Sequence, residues 1–539
     1  MSSYFFGKFI LFTLFICNII LPQNQGDIHI AELMDTKTVD EISAELQSDF
    51  SDYDIPLNIN FDVSLYRVEY HTIDPHGSPT IASGVLAIPL SQSVPRPFLS
   101  FQHGTVLKRN SVSSVNGFDI VSMWLGGRGF ITAIPDFLGL GVSDMLHPYM
   151  VALPSATSVV DMIRAGKNLC DSLNVLISED VFLAGYSEGG FVTMATHKYI
   201  EEELDGEIEV TASAPCAGPY DLSSVMYNLM LTPQPYGSPN YLPYTILAYD
   251  DVYGLYDSPS DFFISPYDTL LPQLFDGTHS GGEVDEIMPE IPIEIVRPDV
   301  LEEVTSNPAH PLRTALHEND LYQWIPQSPI TLLHSNQDEL VPVQNTINAY
   351  EFFINNGAEN VEIYVENLGS HTEAAAVILL AAAAWLESFI NITQVIELEY
   401  GWNMIGLPIF SVDNYVETLF PEALDNSLFM FQNGGYVEDN NLNTGIGYWL
   451  RFDSQLTTAL SGEPIQMVSI QLQTGWNLIS GISESIFILD IVNDLIIDGS
   501  IFGFDGYYAE AQTIEPGNAY WLRSVGNGEL ILPGGRQTE

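Results

Sequence analysis

Short apolar runs alternate with stretches of helical periodicity from about residue 60 to residue 390. Residues 63–70 and 81–88 read as strands, and 98–102 and 130–134 are brief apolar runs bounded by proline and glycine. That texture belongs to parallel strands buried on both faces. Residues 156–173 place Val159, Met162, Ile163, Ala165 and Leu169 at helical spacing, and a strand at 181–185 runs into a helix at 190–203. Strands follow at 208–214, 330–334 and 361–365, and an alanine-rich helix over 373–390 closes the unit. The alternation predicts an α/β fold, a mainly parallel sheet with helices on both faces.

Residues 220–328 break the rhythm. They hold ten of the 26 tyrosines and many prolines. A linker is poor in aromatics, so this stretch is expected to fold as a cap inserted over the carboxyl edge of the sheet.

After Asn391 the long helices vanish and an internal repeat begins. Gly401-Trp402-Asn403 recurs as Gly475-Trp476-Asn477, and Tyr448-Trp449-Leu450-Arg451 as Tyr520-Trp521-Leu522-Arg523. Phe431, Gly434 and Tyr436 have counterparts in Phe504, Gly506 and Tyr508, at offsets of 72 to 74 residues. Alternation at Ile396, Leu398 and Tyr400, and at Ile470 and Leu472, points to strands. The expected organisation is a catalytic domain over 25–394 and two small, mostly β modules over 395–465 and 466–539. These modules are candidates for polymer or cell-surface binding. Their paired tryptophans are expected in the core before a sugar platform.

Charge narrows the possible partners. Against 70 Asp and Glu the chain of 539 residues sets 15 Lys and Arg, a net charge of -55, yet charged residues total only 16%. The carboxylates are spread along a folded chain with few surface cations. Nucleic acid and anionic membranes would be repelled, and such a surface suits a salt-rich medium that screens self-repulsion. At the N-terminus, Lys8 precedes an apolar run over 9–21 that is too short to span a bilayer comfortably. Residues 1–24 read as a signal peptide, so the protein is expected to be secreted, periplasmic or at the cell surface. Beyond Cys17 in that run, Cys170 and Cys216 are expected as buried free thiols.

The sharpest chemical signal is Gly185-Tyr186-Ser187-Glu188-Gly189-Gly190, between an apolar strand and a helix. In such a nucleophile elbow the serine occupies a strained turn, and flanking glycines let the backbone fold back without a clash. Serine needs a base, and the base an orienting acid, in the order Ser, acid, His. Asp338 lies just beyond the strand at 330–334, with Glu339 as nearest rival. His371 is the only histidine after that loop. His334, inside its strand, reads as a core residue. Backbone N–H groups of Thr105 and Glu188 are the candidate oxyanion hole, with His103 and Gly104 supporting the Thr105 loop. The glycine-rich piece from Asp136 to Gly141 lacks the lysine and spacing of a phosphate loop and reads as structural. No zinc or calcium signature stands out, so no metal or cofactor is expected.

These residues resemble the secretory lipase family of α/β-hydrolases. The resemblance rests on Phe101-Gln102-His103-Gly104-Thr105, on the stretch from Pro135 to Asp144 with His147-Pro148-Tyr149, on the elbow, on Gly218-Pro219-Tyr220-Asp221-Leu222, and on the Asp338 and His371 loops. It implies a capped Ser-His-Asp esterase or lipase acting on small-molecule or lipid esters, with Ser187, Asp338 and His371 as nucleophile, acid and base. Glu188 departs from the glutamine that relatives often carry. The C-terminal modules lie outside that family and resemble repeats appended to exported bacterial proteins. The shared triad order leaves a serine peptidase of the prolyl oligopeptidase kind as a rival, without room for an N-terminal propeller. A surface-binding protein with an inactive core is the third reading.

Overall fold

Nine strands form the central sheet of the computed structural model, which describes residues 24–533 apart from 50–56, 58, 91–94, 205, 412, 466 and 492. The expected signal sequence, but for its last residue, lies outside the described residues. The strands are β1 (Ile28–Lys37), β2 (Val63–Ile73), β3 (Pro79–Pro89), β4 (Arg96–Gln102), β5 (Ile131–Pro135), β6 (Ile177–Tyr186), β7 (Ala212–Cys216), β8 (Ile330–Ser335) and β9 (Val361–Glu366). Their order is β1-β2-β3-β5-β4-β6-β7-β8-β9. The first three strands and the β3–β5 contact are antiparallel, and every pair from β5 through β4 to β9 is parallel. This is the α/β-hydrolase fold.

β4, β5 and β7 are buried at every position, as strands covered on both faces must be. The helices Ala152–Leu173 and Glu188–Glu203 pack on one face, and Ile120–Gly127 and His371–Glu387 on the other. β7 begins four residues later than the expected strand at 208–214. Glu207 and Glu209 interrupt the apolar run there, and Glu207 is drawn outward by Arg164, at 2.6 Å. A central strand has no room for those charges, so pairing with β6 starts at Ala212 opposite Phe182.

Between β7 and β8 the chain builds a helical cap, including Tyr241–Tyr253, Pro298–Ser306 and Pro311–Glu318. Several of its tyrosines bury their rings and donate their phenols to backbone carbonyls. Tyr220 donates to Pro215 at 2.8 Å, Tyr244 to Val106 at 3.2 Å and Tyr249 to Met150 at 2.9 Å. A buried phenol without such a partner would be destabilising.

The C-terminal region consists of small antiparallel sheets. Gly401–Ile405 pairs with Tyr448–Phe452 in the first module, and Gly475–Ser480 with Ala519–Ser524 in the second. The modules contact each other reciprocally. Ile405 bridges to Asn518, and Ile446 to Ile479. Phe431 meets Trp521 edge to face at 4.8 Å, and Phe504 meets Trp449 at 4.9 Å. Trp449 and Trp521 lie in this contact. Trp402 and Trp476, expected in the core, are instead 41% and 44% exposed. The second module also touches the hydrolase domain through a buried ion pair between Glu484 and Arg96, whose guanidinium lies over the Phe61 ring. Cys170 and Cys216 are buried free thiols, and burial pushes the Cys170 thiol up to about 12.

Candidate active site

β6 delivers Ser187 at its carboxyl end, and the helix Glu188–Glu203 starts at the next residue. Ser187 adopts φ 63° and ψ -123°, a conformation that side chains rarely tolerate. The turn is held because Gly185 and Gly189 let three backbone segments meet. A Cβ at Gly189 would collide with the carbonyl of Gln102 at the end of β4, and one at Gly185 with the carbonyl of Gly189.

Two other strand ends converge on this point. Asp338 follows β8, where its Oδ1 accepts backbone N–H groups of Leu340 at 3.0 Å and Val341 at 2.7 Å. His371 opens the helix His371–Glu387 after β9. Ser370 caps that helix through a reciprocal bond with Glu373, which fixes where the first turn begins. Ser335 ties the two loops together by donating to the Gly369 carbonyl at 2.6 Å. His371 Nδ1 lies 2.5 Å from Asp338 Oδ2, and its Nε2 lies 2.9 Å from Ser187 Oγ. The rival acid, Glu339, accepts the backbone N–H of His371 at 3.0 Å instead of meeting its ring.

Asp338 has a second imidazole behind it. His334 Nε2 is 3.1 Å from Asp338 Oδ2 and 2.9 Å from the Val341 carbonyl, while its Nδ1 faces Thr346 Oγ1 at 2.7 Å. The carbonyl can only accept, which assigns the His334 proton to Nε2. Burial would raise the Asp338 carboxyl, but the bonds from His334 and His371 and the His371 charge outweigh it and hold it at about 2. An ionised Asp338 assigns the His371 proton to Nδ1, leaving the Nε2 lone pair toward the serine. Tyr186 holds the first turn of the helix His371–Glu387 by donating to the His371 carbonyl at 2.6 Å. Burial, then the nearby Asp338 charge, push the Tyr186 phenol well up.

The loop after β4 comes close to the elbow, since a Cβ at Gly104 would sit 3.9 Å from Ser187 Cβ. His103 stacks on Phe137 at 4.2 Å and contacts the carbonyls of Gly104 and Asp136 at 2.7 and 3.2 Å. Glu188 opens its helix, and amides in a first helical turn have no intrahelical acceptor. Its side chain turns away from the serine. Glu188 Oε1 lies 2.6 Å from His147 Nε2, with both side chains buried, and His147 Nδ1 faces the Leu138 carbonyl at 2.7 Å. That carbonyl assigns one proton to Nδ1, so a second proton must sit between Nε2 and the carboxyl for the short contact to hold.

Thr105 Oγ1 meets the Tyr149 hydroxyl at 3.2 Å. Tyr149 in turn lines an apolar pocket of about 40 Å³ with Met150, Leu222, Met226, Leu229 and Tyr241. Among the described residues, no three or more His, Cys, Asp or Glu are grouped to hold a metal ion. No described helix is long and apolar enough to cross a membrane.

The sequence model of the secretory lipase family matches residues 299–397, the segment carrying Asp338 and His371. Among solved structures, a hydrolase of Legionella pneumophila is 29% identical with a TM-score of 0.62, covering 67% of this chain and 98% of its own. The rice cell wall degrading esterase LipA from Xanthomonas oryzae is 29% identical with a TM-score of 0.60, covering 67% and 97%. Candida antarctica lipase A, 16% identical with a TM-score of 0.51 over 68% and 82% of the two chains, shares the fold. No curated protein matches the sequence.

Proposed function

We propose that this chain, a carboxylic ester hydrolase of the α/β-hydrolase superfamily that resembles the secretory lipases, works by a Ser187-His371-Asp338 triad through an acyl-enzyme. His371 Nε2 takes the Ser187 proton as Oγ attacks the ester carbonyl carbon. The resulting oxyanion rests on the N–H groups of Thr105 and Glu188. Collapse breaks the bond to the leaving alcohol, which takes the proton from His371. Water, deprotonated by the same imidazole, then attacks the acyl-Ser187 ester, and the free acid departs as Ser187 Oγ regains its proton.

The observation that carries this reading is the unbroken chain from Ser187 Oγ through His371 to Asp338, at 2.9 and 2.5 Å. His103 and Gly104 hold the Thr105 loop against Asp136 and the elbow. Asp338 keeps the imidazole in the tautomer that accepts the serine proton. The reading extends to export, with residues 1–24 removed on the way out of the cell.

Replacing Ser187 with Ala removes p-nitrophenyl butyrate hydrolysis and labelling by a fluorophosphonate probe, while the melting temperature and far-UV spectrum stay unchanged. A folded Ser187→Ala protein that keeps its activity would overturn the assignment. N-terminal sequencing of the protein recovered from the medium or periplasm tests the export claim, and a mature chain still starting at Met1 would contradict it.

A further inference from the structure

The two C-terminal modules expose aromatic side chains that the hydrolase chemistry does not use. Trp476, Phe502, Tyr508 and Trp521 of the second module and Phe431 and Tyr436 of the first enclose a cleft of about 440 Å³. Trp402, Phe429, Tyr436 and Trp449, with Phe504 from the second module, enclose another of about 480 Å³. Both fall within the ~300–1,000 Å³ of small-ligand sites. Tyr436 lines both clefts, so they adjoin at its ring as an aromatic trough in two parts. The exposed rings repeat between modules, Trp402 and Trp476 at 41% and 44%, and Tyr436 and Tyr508 at 55% and 53%. Core packing alone gives no reason for the same rings to stay in water twice.

We propose that this trough binds a neutral polysaccharide whose sugar rings stack on its aromatic faces. Three observations select that occupant. First, a pyranose with equatorial hydroxyls shows patches of axial C–H on both faces, which suit a planar ring, and its polymer repeats as the aromatics do. Second, the groove that continues past Phe431 and Trp476 is lined by Gln432, Asn433 and Gln471. These neutral amides can both donate to and accept from sugar hydroxyls. Third, residues 392–539 hold 19 Asp and Glu against three arginines and no lysine. That net charge repels a polyanion or an anionic lipid surface, although Arg451 and Arg523 sit 5.8 and 5.9 Å from the Trp402 and Trp476 rings. The site does not depend on the triad, so its test is read apart from hydrolysis.

The experiment is retention of the full-length protein on microcrystalline cellulose and on insoluble xylan, at low and at 1 M NaCl, with phosphatidylcholine vesicles as the lipid arm. The wild type is retained on at least one of the two glycans at both salt levels. The double variant Trp402→Ala/Trp476→Ala loses at least about tenfold in binding constant, the size expected for aromatic anchors. Its hydrolysis of soluble p-nitrophenyl butyrate and its melting temperature do not change. Tyr436→Ala, at a half-exposed position shared by both clefts, decides the matter should the double variant be unstable. Failure of the wild type to bind either glycan, undiminished binding by the folded variants, or capture by vesicles in place of glycans would each overturn the proposal. So would a wild-type dimer that the double variant abolishes, which would make the trough a self-association surface.

Discussion

Replacing Asp338 with Asn tests the tautomer logic of the site, because it removes a charge and almost no volume. Oδ1 accepts two backbone N–H groups, from Leu340 and Val341. The Asn oxygen must stay there, since an amide NH₂ in that place would point its hydrogens at other donors. The NH₂ therefore takes the position of Oδ2, facing His371 Nδ1 and His334 Nε2. His334 keeps its Nε2 proton for the Val341 carbonyl. His371 can respond only by accepting at Nδ1 and carrying its proton on Nε2, where it can no longer take one from Ser187. A wrong tautomer of this kind lowers kcat by roughly 10³ to 10⁴-fold. KM changes little, because Asp338 is fully buried behind the imidazole and does not reach a substrate.

The same substitution has a cost in stability. The Asp338 carboxyl is depressed from 3.8 to about 2 in the folded protein, which corresponds to about 2 kcal/mol. A depressed carboxyl stabilises fully above its unfolded value, and the contribution fades as pH falls through the folded value. The gap in unfolding free energy between wild type and Asp338→Asn should thus be widest near pH 7 and shrink toward pH 2. Urea unfolding across that range, with kcat and KM on p-nitrophenyl butyrate at pH 7, measures both effects. A drop in kcat of less than tenfold, or a gap that does not narrow in acid, would refute the reasoning.

Glu188→Gln can donate to the His147 Nε2 lone pair and put its oxygen where Glu188 Oε2 finds no partner among the described residues, so activity should stay within about threefold of wild type. Glu188→Ala leaves buried His147 unpaired and should cost about 2–3 kcal/mol in thermal or urea unfolding. Glu484→Ala strands the buried Arg96 guanidinium, and a loss of about 3–5 kcal/mol is expected in the unfolding of the hydrolase domain. With only about 40 Å³ free beside the Thr105 loop, p-nitrophenyl butyrate should be cleaved faster than the palmitate ester. Met226→Ala or Leu229→Ala should shift the optimum toward longer acyl chains in a panel of rising length.

What could be read along the chain was whatever a strand end fixes locally. The elbow glycines announce a close backbone approach, and Asp338 and His371 each follow an apolar run by a few residues. His334 escaped because an in-strand histidine looks the same whether it fills a core or braces an acid. Its role arises only when the loop beyond β8 folds back and brings Asp338, four residues on, against the ring. The Glu188–His147 pair spans 41 residues and two loops, and no local pattern encodes it. β1 and the helix Val39–Asp49 were missed because an edge strand with mostly exposed side chains carries little hydrophobic periodicity. Trp402 misled for a related reason. It shares a strand face with Met404, which is buried between the modules, but lies two residues nearer the strand end, outside that contact.

The reciprocal contacts between the two repeats set a limit on how many can be joined. Each uses one and the same patch, with Ile405, Phe431 and Trp449 on one side matched by Ile479, Phe504 and Trp521 on the other. A two-fold arrangement of this type is self-complementary and saturates at a pair, unlike a head-to-tail stack, which can grow indefinitely. A third copy would find no free edge of that kind, and a single copy would leave its own uncovered. The natural unit of this appendage is therefore the couple, and any lengthening of the chain by the same repeat would have to proceed in twos.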